Sequence, residues 1–125
     1  MRLVAAVTLA LVLPSAALGA RTDLRVTLWT KGVHTGHVRV WTLRCEPAAG
    51  SLPRPLAACR RLGRLASPFA PVPSGSVCSD IYGGPEVGIV TGALRGSPVH
   101  ALFKRTDSCQ TERWNRVGFL FPGVP

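Results

Sequence analysis

The chain has 125 residues, of which 15 are lysine or arginine and 6 are aspartate or glutamate, giving a formal net charge of +9. This length provides for one small domain, and we see no sign of a second domain in the sequence. The positive charge predicts affinity for acidic proteins, polyanions or anionic cell surfaces, although the same charge also keeps a small protein soluble without any such partner.

The N-terminus has the composition of a secretory signal peptide. Arg2 follows the first methionine, residues 3–13 are apolar except for one threonine, and small residues surround Gly19. We predict a signal peptide at residues 1–19, with cleavage one residue later nearly as favourable, and a mature extracellular domain at residues 20–125. A membrane anchor is less favoured, because the apolar run is about half of the ~20 residues that span a bilayer.

Alternating apolar residues predict two strands at the start of the mature domain. The first covers residues 24–29 and the second residues 38–44, with a turn-like segment at 31–36 between them. Residues 46–55 contain three prolines and one glycine, so we predict a loop there.

A helix is predicted at residues 56–65, where one apolar stripe recurs at every third position: Leu56, Cys59, Leu62 and Leu65. Pro68 lies just beyond its end.

Three more strands are predicted towards the C-terminus. Residues 87–94 and 98–105 form a hairpin around Arg95-Gly96-Ser97, and residues 117–121 form a final apolar strand. Short connections between neighbouring strands favour an antiparallel sheet. The predicted fold is therefore α+β, with five strands and one or two helices packed on one face of the sheet.

Four cysteines, an even number in an exported chain, predict two disulfides. Their spacing alone allows all three possible pairings, and no spacing is the Cys-x-x-Cys of a zinc or thioredoxin-type site. Disulfides would support a domain of this size, whose core is small.

Residues that could support catalysis are few. The histidines are His34, His37 and His100, and neither a Gly-x-Ser-x-Gly elbow nor a phosphate-binding glycine loop is present. His34 and His37 are better explained as turn residues than as metal ligands, because no acidic residue lies near them in the sequence. Asp80 and Glu86 are the one candidate carboxyl pair, and nothing indicates separate acid and base roles for them. We predict no enzyme activity, no cofactor and no metal site.

Arginines on the predicted helix and near the C-terminus form candidate basic surfaces. No aromatic-plus-basic RNA-binding signature accompanies them, so we predict no specific nucleic-acid partner and interpret them as a solvated basic face. The tryptophans are interpreted as packing residues. The residues concerned are Arg60, Arg61, Arg64, Lys104, Arg105, Arg113, Arg116, Trp29, Trp41 and Trp114.

One segment, Cys78-Ser79-Asp80-Ile81-Tyr82, places a cysteine two residues before a candidate scissile bond. A cysteine at this position can hold a short loop rigidly. A rigid, substrate-like loop can block a protease, because most of its ordering cost is met before binding.

From about residue 24 to residue 121, the chain resembles the Streptomyces subtilisin inhibitor family. The order and spacing of the cysteines carry the resemblance, together with the segment around Cys78 and the aromatic C-terminal ending. The matching segments are Val40-Trp41-Thr42-Leu43-Arg44-Cys45, Pro47, Ala58-Cys59, Cys78-Ser79-Asp80-Ile81-Tyr82, Arg95-Gly96, Phe103, Cys109 and Phe119-Leu120-Phe121.

The resemblance implies a five-stranded antiparallel sheet with helices on one face, and often a homodimer formed through the sheet. It also implies the pairing of the cysteines, as Cys45–Cys59 and Cys78–Cys109. The implied function is a secreted inhibitor of serine endopeptidases, with a serine protease that is subtilisin-like or prefers acidic residues as its partner.

By the same matching, the scissile bond would be Asp80–Ile81, with Asp80 entering the primary specificity pocket of the protease. The remaining loop residues would contact the protease on either side of that bond. They are Val77, Cys78 and Ser79 on the non-prime side, and Ile81 and Tyr82 on the prime side.

Two positions depart from the family pattern. Where this chain has Asp80, the family usually has Lys, Arg, Met or another residue suited to trypsin-like or subtilisin-like pockets. A carboxylate is costly to bury in an apolar pocket and is repelled by an acidic one, so a target that prefers acidic residues is expected. Gly83-Gly84 stands where the family commonly has Asp-Pro, and we expect it to loosen the loop.

An alternative function is a non-inhibitory, basic secreted protein that uses the same fold for binding or interaction. The two functions differ in an observable way. Slow cleavage at Asp80–Ile81 with retained inhibition supports the inhibitor, whereas rapid digestion or no contact with a protease supports the alternative.

Overall fold

The computed structural model describes residues 10–12 and 21–125, so the predicted signal peptide, apart from residues 10–12, lies outside the described residues. Four strands, two α-helices and one 3-10 helix follow one another along the chain. In order they are β1 (Thr22–Trp29), β2 (Val38–Cys45), α1 (Pro55–Arg64), β3 (Gly84–Leu94), β4 (Ser97–Arg105), α2 (Ser108–Arg116) and the 3-10 helix (Gly118–Leu120).

The strands form one antiparallel sheet in the order β2-β1-β3-β4, so β1 and β3 lie at its centre. One face of the sheet is buried. Leu24, Val26 and Leu28 of β1 point into it and are at most 1% exposed, which explains why their alternation predicts this strand so clearly. The hairpin at Arg95-Gly96 joins β3 to β4, as the sequence predicts.

Both helices cover the buried face. Helix α1 contributes Ala58 and Leu62 to the core, and α2 contributes Trp114, which packs against Phe121 with ring centroids 4.3 Å apart. The prediction of helices on one face is therefore confirmed. Each large apolar side chain buried in this way stabilises the fold by about 1.5–3 kcal/mol.

The predicted stripe on α1 is only partly correct. Leu56 is 54% exposed, and the buried positions are Ala58 and Leu62, four residues apart. The helix begins at Pro55, which suits a first helical position because its missing N–H has no partner there in any helix.

The predicted fifth strand, residues 117–121, is wrong: the described residues form four strands. Val117, Leu120 and Phe121 are buried at helical spacing after Trp114, and the Val117 and Leu120 amides donate to carbonyls three residues back. A short apolar run is compatible with either a buried strand or a buried helical turn. Here the helical turn forms, because it buries Val117, Leu120 and Phe121 together in the core.

Helix α2 was not predicted from the sequence. It begins after Asp107, whose carboxylate accepts a hydrogen bond from the Gln110 amide at 2.8 Å, as expected of an N-cap. Within residues 10–12 and 21–125, no helix is long and apolar enough to cross a membrane.

Replacing Gly88 with alanine is expected to destabilise the fold by about 1–3 kcal/mol, because the new methyl group would overlap the Phe121 ring. Gly63→Ala in α1 is the matched control. Its methyl group would meet nothing within 4 Å, and alanine is favoured over glycine in a helix by about 0.5–1 kcal/mol. Urea unfolding measures both changes, and equal midpoints for the two variants would contradict the packing of Phe121 against β3.

Candidate functional site

Residues 77–82, called the exposed loop below, lie between α1 and β3 and have no regular secondary structure. Three large apolar side chains on this loop face solvent: Val77 is 99% exposed, Ile81 68% and Tyr82 63%. Apolar side chains grouped in solvent in this way mark an interaction surface. Asp80 lies among them and is also exposed.

The start of the exposed loop is bound to helix α2 in two ways. The Cys78–Cys109 disulfide joins the loop to the first turn of the helix, with the two Cα atoms 5.5 Å apart. Beside it, the Ser79 amide donates to Ser108 Oγ at 2.9 Å, and the Ser108 amide donates to the Ser79 carbonyl oxygen at 3.0 Å. One covalent bond and two hydrogen bonds therefore hold two consecutive loop residues.

The end of the exposed loop is bound to β4. The Gly83 amide donates to the Arg105 carbonyl oxygen at 2.7 Å, and Gly84 pairs with Arg105 as β3 begins. A Cβ atom on Gly83 would lie 2.8 Å from Thr111 Oγ1. The two glycines therefore allow close approach to β4 and α2, and the hydrogen bond from Gly83 to β4 argues against the expectation that they loosen the loop.

Between these two attachments, the backbone and side chains of Asp80, Ile81 and Tyr82 form no hydrogen bonds with residues 21–125. The three residues thus form a short exposed bridge with fixed ends. This geometry suits presentation to a protein partner, since the ends lose little freedom on binding.

Arg105 supports the end of the loop through its side chain as well as its backbone. Its guanidinium donates to Glu86 Oε2 at 2.8 Å and to the Pro125 carbonyl oxygen at 3.1 Å. Glu86–Arg105 is the one ion pair among the described residues, and both side chains are largely buried. Glu86 is therefore paired with Arg105 across β3 and β4, whereas Asp80 is exposed on the loop, so the two carboxylates do not form a shared acid–base site.

Arg113 is buried as well, at 6% exposed, and it holds the irregular segment that leads into the exposed loop. Its guanidinium donates to the carbonyl oxygens of Phe69, Ala70 and Leu102. Burial lowers the pKa of Arg113 from its usual value, and nearby Arg116 lowers it further. Arg105 and Arg113 thus have structural roles, which corrects their inclusion in a solvated basic face.

Two of the three histidines share one turn and the third lies on a strand. His34 packs edge-on against Trp29, with ring centroids 5.2 Å apart, in the turn that also carries His37, whereas His100 lies on β4. Among the described residues, one group of metal-ligand types comes together: Cys78, Asp107 and Cys109. Its two sulfurs are bonded to each other and so cannot bind a metal as thiolates.

The disulfides are Cys45–Cys59 and Cys78–Cys109, as the family resemblance implies. The structure brings Val77, Cys78, Ser79, Asp80, Ile81 and Tyr82 together on one loop. Sequence reasoning missed Ser108 and Arg105 as supports of that loop. Ser108 could have been found from its position beside Cys109, because a disulfide places the neighbours of both cysteines within reach of each other.

Replacing Ser108 with alanine is expected to remove the acceptor of the Ser79 amide while the disulfide remains. Hydrogen exchange at the Ser79 amide should accelerate, and the free energy of unfolding should fall by about 0.5–1.5 kcal/mol. Ser97→Ala, at the exposed first residue of β4, is the control. If exchange at Ser79 is unchanged in the Ser108 variant, the hydrogen bond does not restrain the loop in solution.

Comparison with known proteins adds two findings. Residues 20–109 match the family described as subtilisin inhibitor-like. The structure also resembles a chain in the crystal structure of Streptomyces caespitosus sermetstatin in complex with Bacillus licheniformis subtilisin. The TM-score is 0.52 at 27% sequence identity, over 82% of this chain and 98% of that chain. No curated protein sequence matches the chain.

Proposed function

The chain belongs to the subtilisin inhibitor-like family, and on that premise we propose that it is a secreted inhibitor of serine endopeptidases. As a member of an inhibitor family it is not an enzyme. One observation supports the proposal above all: Asp80, Ile81 and Tyr82 are exposed between attachments at Ser79 and Gly83. The similar sermetstatin structure, in complex with a subtilisin, supports a serine protease as the partner.

We propose Asp80–Ile81 as the scissile bond. The serine oxygen of the protease would attack the Asp80 carbonyl carbon, and the bond to the Ile81 nitrogen would break as that nitrogen takes up a proton. The Ile81 amine would stay close, because Gly83 remains bonded to β4 and Cys78 to α2. The amine can then re-form the peptide bond in preference to attack by water.

The two sides of the loop would contact the protease differently. Val77, Cys78 and Ser79 occupy the non-prime side, and Ile81 and Tyr82 the prime side. The exposed Val77, Ile81 and Tyr82 side chains provide apolar area that is buried on binding. An interface of this kind typically buries about 1,600 Å² in total.

The charge of Asp80 determines which kind of protease specificity pocket this inhibitor would fit. Glu86–Arg105 is the one ion pair in the described part of the chain, so the Asp80 carboxylate is not neutralised by a neighbour in residues 21–125. A basic or polar pocket would compensate the charge. An acid-lined pocket of the trypsin type would repel it, at a cost of several kcal/mol.

The test is inhibition of subtilisin, trypsin, chymotrypsin and a glutamate-specific serine protease by the oxidised chain. We expect tight inhibition of the acid-preferring enzyme, with one cut at Asp80–Ile81, or none, by mass spectrometry. Asp80→Lys is expected to strengthen trypsin inhibition by about 100-fold or more, because repulsion becomes attraction. Asp23→Lys, the same change on an exposed residue of β1, should leave trypsin inhibition unchanged.

Each outcome of the panel is informative. Equal effects of the Asp80 and Asp23 substitutions would attribute any gain to net charge and remove Asp80 from the pocket. If the correctly oxidised chain inhibits no member of the panel and is digested rapidly, the inhibitor proposal fails. The alternative, a non-inhibitory basic binding protein on the same fold, would then stand.

We also propose a homodimer that forms through the outer face of the sheet, meaning the face opposite the core. Strand pairing aligns Val40, Thr27, Ile89 and Leu102 in one row across all four strands. Val40 is 40% exposed and Leu102 42% exposed, so the row offers apolar side chains to a second copy.

Leu102→Glu is expected to convert this dimer to a monomer, because it places two carboxylates in an apolar interface. Leu56→Glu is the control, since Leu56 is an equally large, 54% exposed side chain on α1. Sedimentation velocity over a range of concentrations measures the oligomeric state. A wild-type chain that is monomeric throughout, or a dimer retained by Leu102→Glu, would contradict the proposed face.

A further inference from the structure

A second candidate interaction surface lies between α1 and the C-terminal segment. The surface is a cleft of about 300 Å³, called the α1 cleft below. Polar and apolar atoms line it in about equal measure, and two of its lining residues are arginines. The lining residues used here are Arg54, Ala57, Arg61, Phe119, Pro122 and Val124. None of them belongs to the exposed loop.

All the charged residues that line the α1 cleft are positively charged. No acidic residue lines it, and α1 has none in its first turn. A third arginine, Arg39 of β2, reaches the same place: its Nη1 would lie 2.9 Å from a Cβ atom on Gly123, which also lines the cleft. The one ion pair in the described part of the chain is Glu86–Arg105, so none of these three arginines is neutralised by a carboxylate in residues 21–125.

Two of the arginines are held in place by aromatic rings. The Arg61 guanidinium lies 4.7 Å from the centre of the Phe119 ring, and the Arg39 guanidinium lies 5.4 Å from the centre of the Trp41 ring. A guanidinium stacked on a ring keeps its N–H groups in its own plane, where they can donate in pairs to a carboxylate. Stacking also reduces the side-chain freedom that is lost on binding.

We propose that the α1 cleft binds an acidic segment of a protein partner, in which carboxylates flank an apolar side chain. The arginines provide charge complementarity for the carboxylates, and the half-buried Phe119, Pro122 and Val124 provide a surface for the apolar side chain. The apolar part of the lining, formed by these three residues, favours a peptide over a polyphosphate or a sulfated polymer, because such polymers have no apolar group to place against it. This surface is separate from the exposed loop, so the proposal does not depend on protease inhibition.

The experiment measures binding of the oxidised chain to a short fluorescein-labelled peptide in which glutamates alternate with leucine, by fluorescence anisotropy at physiological salt. Arg54→Gln with Arg61→Gln removes two charges from the cleft. Arg60→Gln with Arg64→Gln is the matched control, since it removes two exposed charges from the same helix but from outside the cleft. Thermal unfolding and disulfide content verify that all variants are folded.

We expect the cleft variant to bind the peptide at least about 10-fold more weakly, because hydrogen bonds between charged groups are lost. The control variant should change affinity by less than about twofold, as remote charges are screened at this salt concentration. A peptide with glutamine in place of glutamate should not bind. Inhibition of a protease, where it is found, should be the same in both variants.

Three results would overturn the proposal. The first is no binding of the glutamate–leucine peptide to the wild-type chain. The second is equal weakening in the cleft and control variants, which would show attraction to net charge alone. The third is tighter binding of polyphosphate than of the peptide with loss in the cleft variant, which would assign the cleft to polyanions instead of acidic proteins.

Discussion

The exposed loop depends on the first turn of α2. Ser108 and Cys109 bind the two loop residues that precede Asp80, one through hydrogen bonds and the other through a disulfide. The position of this turn depends in turn on Trp114, which is buried against Phe121 at the other end of the helix. The start of the exposed loop is thus connected to the core of the domain by one short helix.

Arg105 makes the second connection. Its backbone binds the residue after the loop, while its side chain binds Glu86 and the last residue of the chain. A largely buried arginine is costly unless its charge is compensated, so Glu86 is needed to keep this group in place. The loop is therefore fixed at one end by α2 and at the other by the backbone of Arg105, whose side chain pairs with Glu86 of β3, and only its middle is free to meet a partner.

The sequence correctly predicts those parts of the fold where the pattern of apolar residues is compatible with only one kind of secondary structure. The alternation of apolar and polar residues in β1 is compatible only with a strand, because Leu24, Val26 and Leu28 all face the core. Residues 117–121 have two explanations, since a short apolar run can be buried as a strand or as a helical turn. Helix α2 has a recognisable start, with Asp107 followed three residues later by Gln110. Its other residues are mostly polar, so they form no apolar stripe that would predict a helix, and Trp114 is its one buried apolar side chain.

The residues of the exposed loop could be predicted from the sequence, whereas the residues that support the loop could not. The family resemblance indicates the loop residues and the cysteine pairs, because these are sequence motifs. The support provided by Ser108, Gly83 and Arg105 depends on distances between segments that are remote in the chain, and no local pattern reports such distances. The α1 cleft is a similar case, since Arg39 and Arg61 are in different elements and meet only through the fold.

The strand order has a consequence for a molecule that has been cut between Asp80 and Ile81. Such a cut divides the sheet into two hairpins: β2 with β1 on one polypeptide, and β3 with β4 on the other. Seven residue pairs between β1 and β3 form the seam between the halves. Cys45–Cys59 lies entirely within the first half, so Cys78–Cys109 is the one covalent link across the seam in the described residues. The nicked protein is a two-chain heterodimer, and its integrity under reducing conditions would rest on non-covalent contacts alone: one pair of central strands, the core beneath them, and hydrogen bonds such as those from Arg113 to Phe69 and Ala70.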